Sequence, residues 1–318
     1  MKKHVLFSLA ISIALTTLEV LGYGFIDPKE THASDSPVSK PAGITYHIAP
    51  IIIEQESANE ALQDSGEVDI PSIAPDPALT IGSTQVSAVD GMTMVYVPEG
   101  EFIMGSSTGY KKERPEHTVY LDAYWIDKTL VTNNMYINCV ISGGCTPPLN
   151  VSPTKYGHKN SGNYPVVYVS WQQAQDYCKW AGRRLPTEAE WEKAARGVDG
   201  RIYPWGNDAP DCQKGNFKGC TGGLSVVDAY PEGASPYGAL DMAGNVWQWV
   251  ADFYEEDYYS VSPYANPQGP ESSEYYVLRG GAWNYSAERF ARTFTRLQMT
   301  PTHRATNNGF RCALSAGQ

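Results

Sequence analysis

Charge is scarce in this 318-residue chain, and positive charge is the scarcer. Lys and Arg number 24 against 35 Asp and Glu, a formal net charge of −11. That balance lacks the basic footprint of a nucleic-acid binder and excludes that class. The spacings that hold zinc are missing too. Six cysteines give no Cys-x-x-Cys pair, and six histidines give no His-x-x-x-His pair. Only 19% of residues are charged, while Gly, Pro, Tyr and Trp are plentiful. This composition favours a loop-rich domain stapled by aromatic rings over a helical bundle.

Lys2, Lys3 and His4 precede an apolar run from Val5 to Ala14. Apolarity continues to Ile26, interrupted mainly by Thr16, Thr17 and Glu19. Residues 1–26 therefore read as a signal peptide or an N-terminal membrane anchor, and both forms stay open. Either one puts the bulk of the chain outside the cytoplasm. The cysteines fit that compartment, because an even count in an exported chain suggests disulfides. Cys139 with Cys145, and Cys212 with Cys220, look like local loop staples. Cys178 and Cys312 remain and would join the middle of the chain to its end.

Residues 27–88 read as an acidic, Pro/Ser-rich linker, largely disordered. Ten acids there face only Lys29 and Lys40, and Tyr46 is the one aromatic apart from the flanks. Such a segment buries too little apolar surface to offset its ordering entropy. The compact domain is expected over 89–318. Met94–Val97 and Phe102–Met104 read as a hairpin, and Val119, Leu121, Ala123 and Trp125 as one half-buried strand. Thr132 is the expected N-cap of a helix ending at Gly143-Gly144. Val166–Val169 reads as a short strand. Ser170 with Gln173, and Thr187 with Glu190, are capping-box patterns that open two further helices. From Gly197 to Tyr276 no period is legible, and so long an irregular stretch is often functional or ion-stapled.

Six motifs in order then resemble one family. They are Pro165-Val-Val-Tyr-Val-Ser-Trp171, Trp180-Ala-Gly-Arg-Arg-Leu-Pro-Thr-Glu-Ala-Glu-Trp191 and Tyr203-Pro-Trp-Gly-Asn207. Asp241-Met-Ala-Gly-Asn-Val-Trp-Gln-Trp249, Leu278-Arg-Gly-Gly-Ala-Trp283 and Asn308-Gly-Phe-Arg-Cys312 complete the set. Together they resemble the sulfatase-modifying-factor family, the formylglycine-generating-enzyme domain, over roughly Asp90 to Leu314. The resemblance implies an irregular α+β fold related to C-type lectins, with little regular secondary structure. It also implies a disulfide between Cys178 and Cys312.

What the resemblance implies about activity is divided. Catalytic relatives oxidise a sulfatase cysteine to formylglycine with molecular oxygen, using two cysteines that bind Cu(I), an ion suited to soft thiolates. Counted from Arg279, those positions fall on Tyr285 and Phe290. The hydroxyl residue expected after Gly-Gly is Ala282, while the aromatic wall is kept as Trp247. Copper chemistry is therefore not expected. A structural calcium site of the family maps onto Asp241, the carbonyls of Gly244 and Val246, and Gln248. The family's other calcium site starts at Asn216 and Phe217 and lacks its acidic ligand, and a Cys212–Cys220 bridge replaces it as the staple. Some relatives use non-haem iron, but no histidine pair here has that spacing. A Ser/His/Asp hydrolase is not expected.

The closing stretch gathers Arg279, Arg289, Arg292, Arg296 and Arg304. With its aromatics it could bind an anionic or sugar-like ligand, or the arginines could simply pair with acids such as Asp241 and Asp252. Arg279 and Arg311 match framework positions of the family. The expected function is an exported binding or accessory module with a pocket around Trp247, Trp283, Tyr285, Arg289 and Phe290. Its partner would be a protein, peptide or glycan. The alternative is a metal-dependent oxidoreductase of the same family.

Overall fold

Three β-sheets and the helices between them form the domain in the computed structural model, which describes residues 79–149 and 161–317. The segment read as a signal peptide or anchor and most of the linker lie outside the described residues. Strands β1 (Thr84–Val86), β2 (Thr93–Val97), β5 (Tyr124–Asp127) and β10 (Ala313–Ser315) form an antiparallel sheet in the order β1-β2-β5-β10. Strands β3 (Gly100–Met104) and β4 (His117–Leu121) form a two-stranded ribbon. Strands β6 (Trp247–Phe253), β7 (Tyr276–Arg279), β8 (Arg296–Met299) and β9 (Asn308–Phe310) make the third sheet, ordered β8-β7-β6-β9, with β6 and β9 parallel. Among the described residues no helix is long and apolar enough to cross a membrane.

The helices begin where their side chains supply caps. Thr132 accepts from Met135 N at the start of α1 (Asn133–Ile141). Both capping boxes form: Ser170 with Gln173 opens α2 (Trp171–Trp180), and Thr187 with Glu190 opens α3 (Glu188–Arg196). Each satisfies two backbone N–H groups that a helix start leaves without partners. Helix α2 turns Trp171, Ala174, Tyr177 and Cys178 inward, the spacing of one helical face. Every residue of α3 is buried, including five charged groups that need partners inside. Three disulfides close the chain: Cys139–Cys145, Cys178–Cys312 and Cys212–Cys220. The second ties α2 to the junction of β9 and β10.

Four local expectations change. Strand β1 pairs with β2 and lies inside the segment read as linker. Strands β2 and β3 are not a hairpin: β2 is flanked by β1 and β5, while β3 pairs with β4. The run from Val119 to Trp125 breaks at Asp122-Ala123 into β4 and β5, which serve different sheets. Val166–Val169 is not a strand. Tyr168 has a φ of +61°, and the backbone N–H groups of Val166 and Tyr168 go to Val131 and Ala305 in turn.

Candidate functional site

The site grows from two turns that dock on each other. Arg279-Gly280-Gly281 leaves β7 with φ of +93° and +75° at its glycines, a region that Cβ-bearing residues rarely adopt. A Cβ on Gly281 would also stand 2.7 Å from the carbonyl oxygen of Phe290. Gly244 N donates to Gly280 O at 2.8 Å, and Trp283 N donates to Asn245 O at 3.0 Å. These bonds hold the chain after β7 against the turn that starts β6. Tyr285 and the short helix α4 (Ala287–Phe290) then close over Trp247.

Three rings fill the position where a copper centre was mapped. Tyr285 and Phe290 meet edge to face at 4.9 Å between centroids, and both meet Trp247 the same way at 5.5 and 6.0 Å. Trp247 is fully buried, and the other two are half-buried. Ala282 is buried beside them. All six cysteines are in disulfides, so no thiolate stands here for a soft ion. The residues present do not fit a thiolate-bound copper. Among the described residues, no group of three His, Cys, Asp or Glu side chains is placed to hold a metal ion. The indole N–H groups of Trp247 and Trp283 are buried without an acceptor among the described residues.

One member of the calcium set, Gln248, is engaged by its neighbours. Gln248 Oε1 accepts from Trp191 Nε1 (2.9 Å) and Arg311 Nε (2.7 Å), and its amide donates to Asp241 O (2.8 Å). Arg311 donates onward to the carbonyls of Asp127, Lys128 and Leu240. A guanidinium thus takes oxygens that a cation would seek, and Gln248 has no lone pair left over. Burial pushes the Arg311 pKa down to about 10, against the pull of Asp241 and Asp127. Burial raises the Asp241 carboxyl, which accepts from Asp228 N. As placed, Gln248 does not fit a calcium ligand.

The five arginines of the closing stretch have separate fates. Arg279 pairs with Glu188 (2.9 Å) and Glu192 (2.6 Å), and Arg296 pairs with Glu188 (2.7 Å). Arg292 pairs with Glu113 (2.9 Å). Their partners are glutamates of α3 and of the β3–β4 connection, not Asp241 or Asp252. Arg304 donates to Gln173 at the start of α2. Among the described residues Arg289 has no carboxylate partner; its guanidinium lies over the rings of Tyr110 (5.0 Å) and Phe290 (4.9 Å). Arg289 and Phe290 line a cavity of about 280 Å³ with Tyr110, Lys112, Glu113 and Arg292. Trp247, Trp283 and Tyr285 are not part of its wall.

Gly105-Ser106-Ser107-Thr108-Gly109 does match the letters of a hydrolase elbow. It joins the antiparallel strands β3 and β4 and not a strand to an α-helix, so the elbow geometry is not formed. His117 sits at the start of β4 with Nδ1 at 3.1 Å from Pro115 O, packed on Tyr259.

The geometry defines an irregular α+β domain of the C-type-lectin-like kind, with a cleft filled by rings beside its Arg-Gly-Gly turn. The family described as the sulfatase-modifying factor enzyme 1-like domain matches residues 81–316, and the chain belongs to that family. The "Inactive C-alpha-formylglycine-generating enzyme 2" of Mus musculus is 34% identical over 298 residues, with 76% of this chain and 90% of that protein covered. The "Formylglycine-generating enzyme" of Streptomyces coelicolor is 34% identical, with 70% and 89% covered. The "Serine/threonine-protein kinase pkn1" of Chlamydia caviae is 32% identical over 83% of this chain, which spans only 44% of that protein. Among solved structures, PvdO from Pseudomonas aeruginosa superposes with a TM-score of 0.65 at 25% identity, covering 75% of this chain and all of that one.

Proposed function

We propose that the protein is an extracytoplasmic binding or accessory module on the formylglycine-generating-enzyme fold, without copper-dependent oxidase activity. One observation carries this reading: Tyr285 and Phe290 pack edge to face where the ligand thiols of the family would stand. Neither side chain is a soft-metal ligand. The kinship with a relative named inactive agrees, though kinship with an enzyme named as active is equally close. Three disulfides support a location outside the reducing cytoplasm.

The competing reading is an oxidoreductase of the same family. The test is oxygen consumption on a Cys-x-Pro-x-Arg peptide with the purified chain, run with and without added Cu(I) and with metal analysis of the protein. Oxygen uptake at the buffer rate and an unchanged peptide mass are expected. Turnover with copper or iron bound in one-to-one ratio would overturn the reading.

A further inference from the structure

We propose that the cavity between Tyr110, Lys112 and Arg289 binds the oxyanion group of a small ligand, a phosphate, sulfate or carboxylate, with the ligand's apolar part against Phe290. This deepens the binding-module reading and rests on it. The argument starts from charge. Four cations line the cavity, Lys111, Lys112, Arg289 and Arg292, against two carboxylates, Glu113 and Glu256. Both carboxylates are already engaged. Glu113 is fully buried and receives Arg292 at 2.9 and 3.1 Å, and Glu256 receives Lys111 at 2.8 Å.

Lys112 and Arg289 are left, and neither forms an ion pair among the described residues. In a chain with a net charge of −11, two uncompensated cations facing one cavity are unusual. Arg289 is held in place without being neutralised. Tyr110 and Phe290 clamp its guanidinium by cation–π contact, which fixes position and leaves its full charge and N–H donors free. Lys112 is half-buried, and burial lowers its pKa, with Arg296 and Arg289 pushing the same way against Glu113 and Glu256. A bound oxyanion would relieve both groups at once. The guanidinium supplies a planar donor fork and the ammonium a point charge, a common pairing for oxyanions. About 280 Å³ admits a small molecule and excludes a folded chain.

The experiment is calorimetric titration of the full chain with inorganic phosphate, with inorganic sulfate and with acetate, at constant ionic strength in chloride. Saturable one-to-one binding of at least one anion is expected, and the preferred anion names the source. Arg289→Gln and Lys112→Gln should each weaken binding by about tenfold or more, the loss of a charge-assisted bond. Arg289→Lys should recover part of it, and the exposed control Lys218→Gln should bind like the parent. Melting curves of all variants check the fold. No saturable binding of any of the three anions overturns the proposal, as does binding undiminished in both cavity variants. Oxygen uptake is read separately, so this failure would leave the non-oxidase reading standing.

Discussion

The ring of Tyr285 meets that of Phe290 edge-on, with planes 77° apart and centroids 4.9 Å apart. Both then present edges to Trp247. Edge-to-face aromatic pairs add roughly 0.5–1.5 kcal/mol beyond their buried area, so the cleft is stabilised by what fills it. A site kept for metal exchange needs an open, polarisable ligand pair. Here the same backbone positions carry interlocked hydrocarbon.

Replacing both rings should therefore expose the metal-binding geometry beneath them. The double variant Tyr285→Cys/Phe290→Cys is expected to bind one Cu(I) per chain, read by competition with a chromogenic chelator. Neither single variant should do so. Phe→Ala in a full core costs about 3–5 kcal/mol, and these half-buried rings should cost somewhat less, seen as a lower Tm. A double variant that folds and binds no copper would show that more than the two rings separates this chain from the copper-binding pattern that the family resemblance implies.

Calcium offers a second contrast. Gln248 is saturated by Trp191 and Arg311, so calcium should leave thermal stability unchanged. A site of the 10⁻⁴–10⁻³ M class at about 10 mM calcium would add roughly 1.4–2.7 kcal/mol. A Tm rise of that size in calcium and not in magnesium would mean that Arg311 yields to the ion. Arg311→Met should itself cost about 3–5 kcal/mol, because it strands Gln248 Oε1 and the carbonyls around the guanidinium.

The sequence carried the local signals well. Thr132, Ser170 with Gln173, and Thr187 with Glu190 act over three or four residues, so each cap could be read without the fold. The disulfides could be paired because two closed short loops and the motifs implied the third. Strand β6 was hidden for a physical reason. Residues 247–250 are all buried, because the strand is central and covered on both faces, so no alternation shows. The partners of β2 and β3 were equally hidden, since nothing within Pro98–Gly100 says which sheet each strand joins. The arginines show the limit best. Five lie within 26 positions, yet Glu188 is 91 residues from Arg279 and 108 from Arg296. Only the folded chain separates the paired arginines from Arg289.

That buried pairing makes Glu188 a sensitive position. Burial alone would raise its carboxyl, but Arg296 and Arg279 outweigh this and hold it below the ordinary value of 4.5. Glu188→Gln leaves Arg296 fully buried with carbonyl partners alone, and should cost about 3–5 kcal/mol at neutral pH in urea unfolding. Glu113→Gln should cost less, because Arg292 reaches solvent while Arg279 and Arg296 do not. An equal loss for the two variants would remove the special place given to Glu188.

Lys193 supplies the pH test. Lys193 is a buried residue of α3, and its ammonium donates to the carbonyls of Pro98 and Gly100 at 2.8 Å each. Burial lowers its pKa to about 8 from 10.5, and the attraction of Glu99 only partly opposes this. The unfolded chain, with the ordinary pKa, then binds more protons than the folded chain between those two values. Stability linked to this group must therefore rise as pH climbs from about 8 towards 10.5, and the burden of holding the charged form is complete below 8. Lys193→Met removes the titration while keeping most of the buried stem. The stability of the parent minus that of Lys193→Met should grow with pH across this window. Urea unfolding of both proteins at several pH values between 7 and about 10 reads the difference directly. A difference that stays flat, or falls, would mean that the Lys193 ammonium is as well solvated in the folded chain as in the unfolded one.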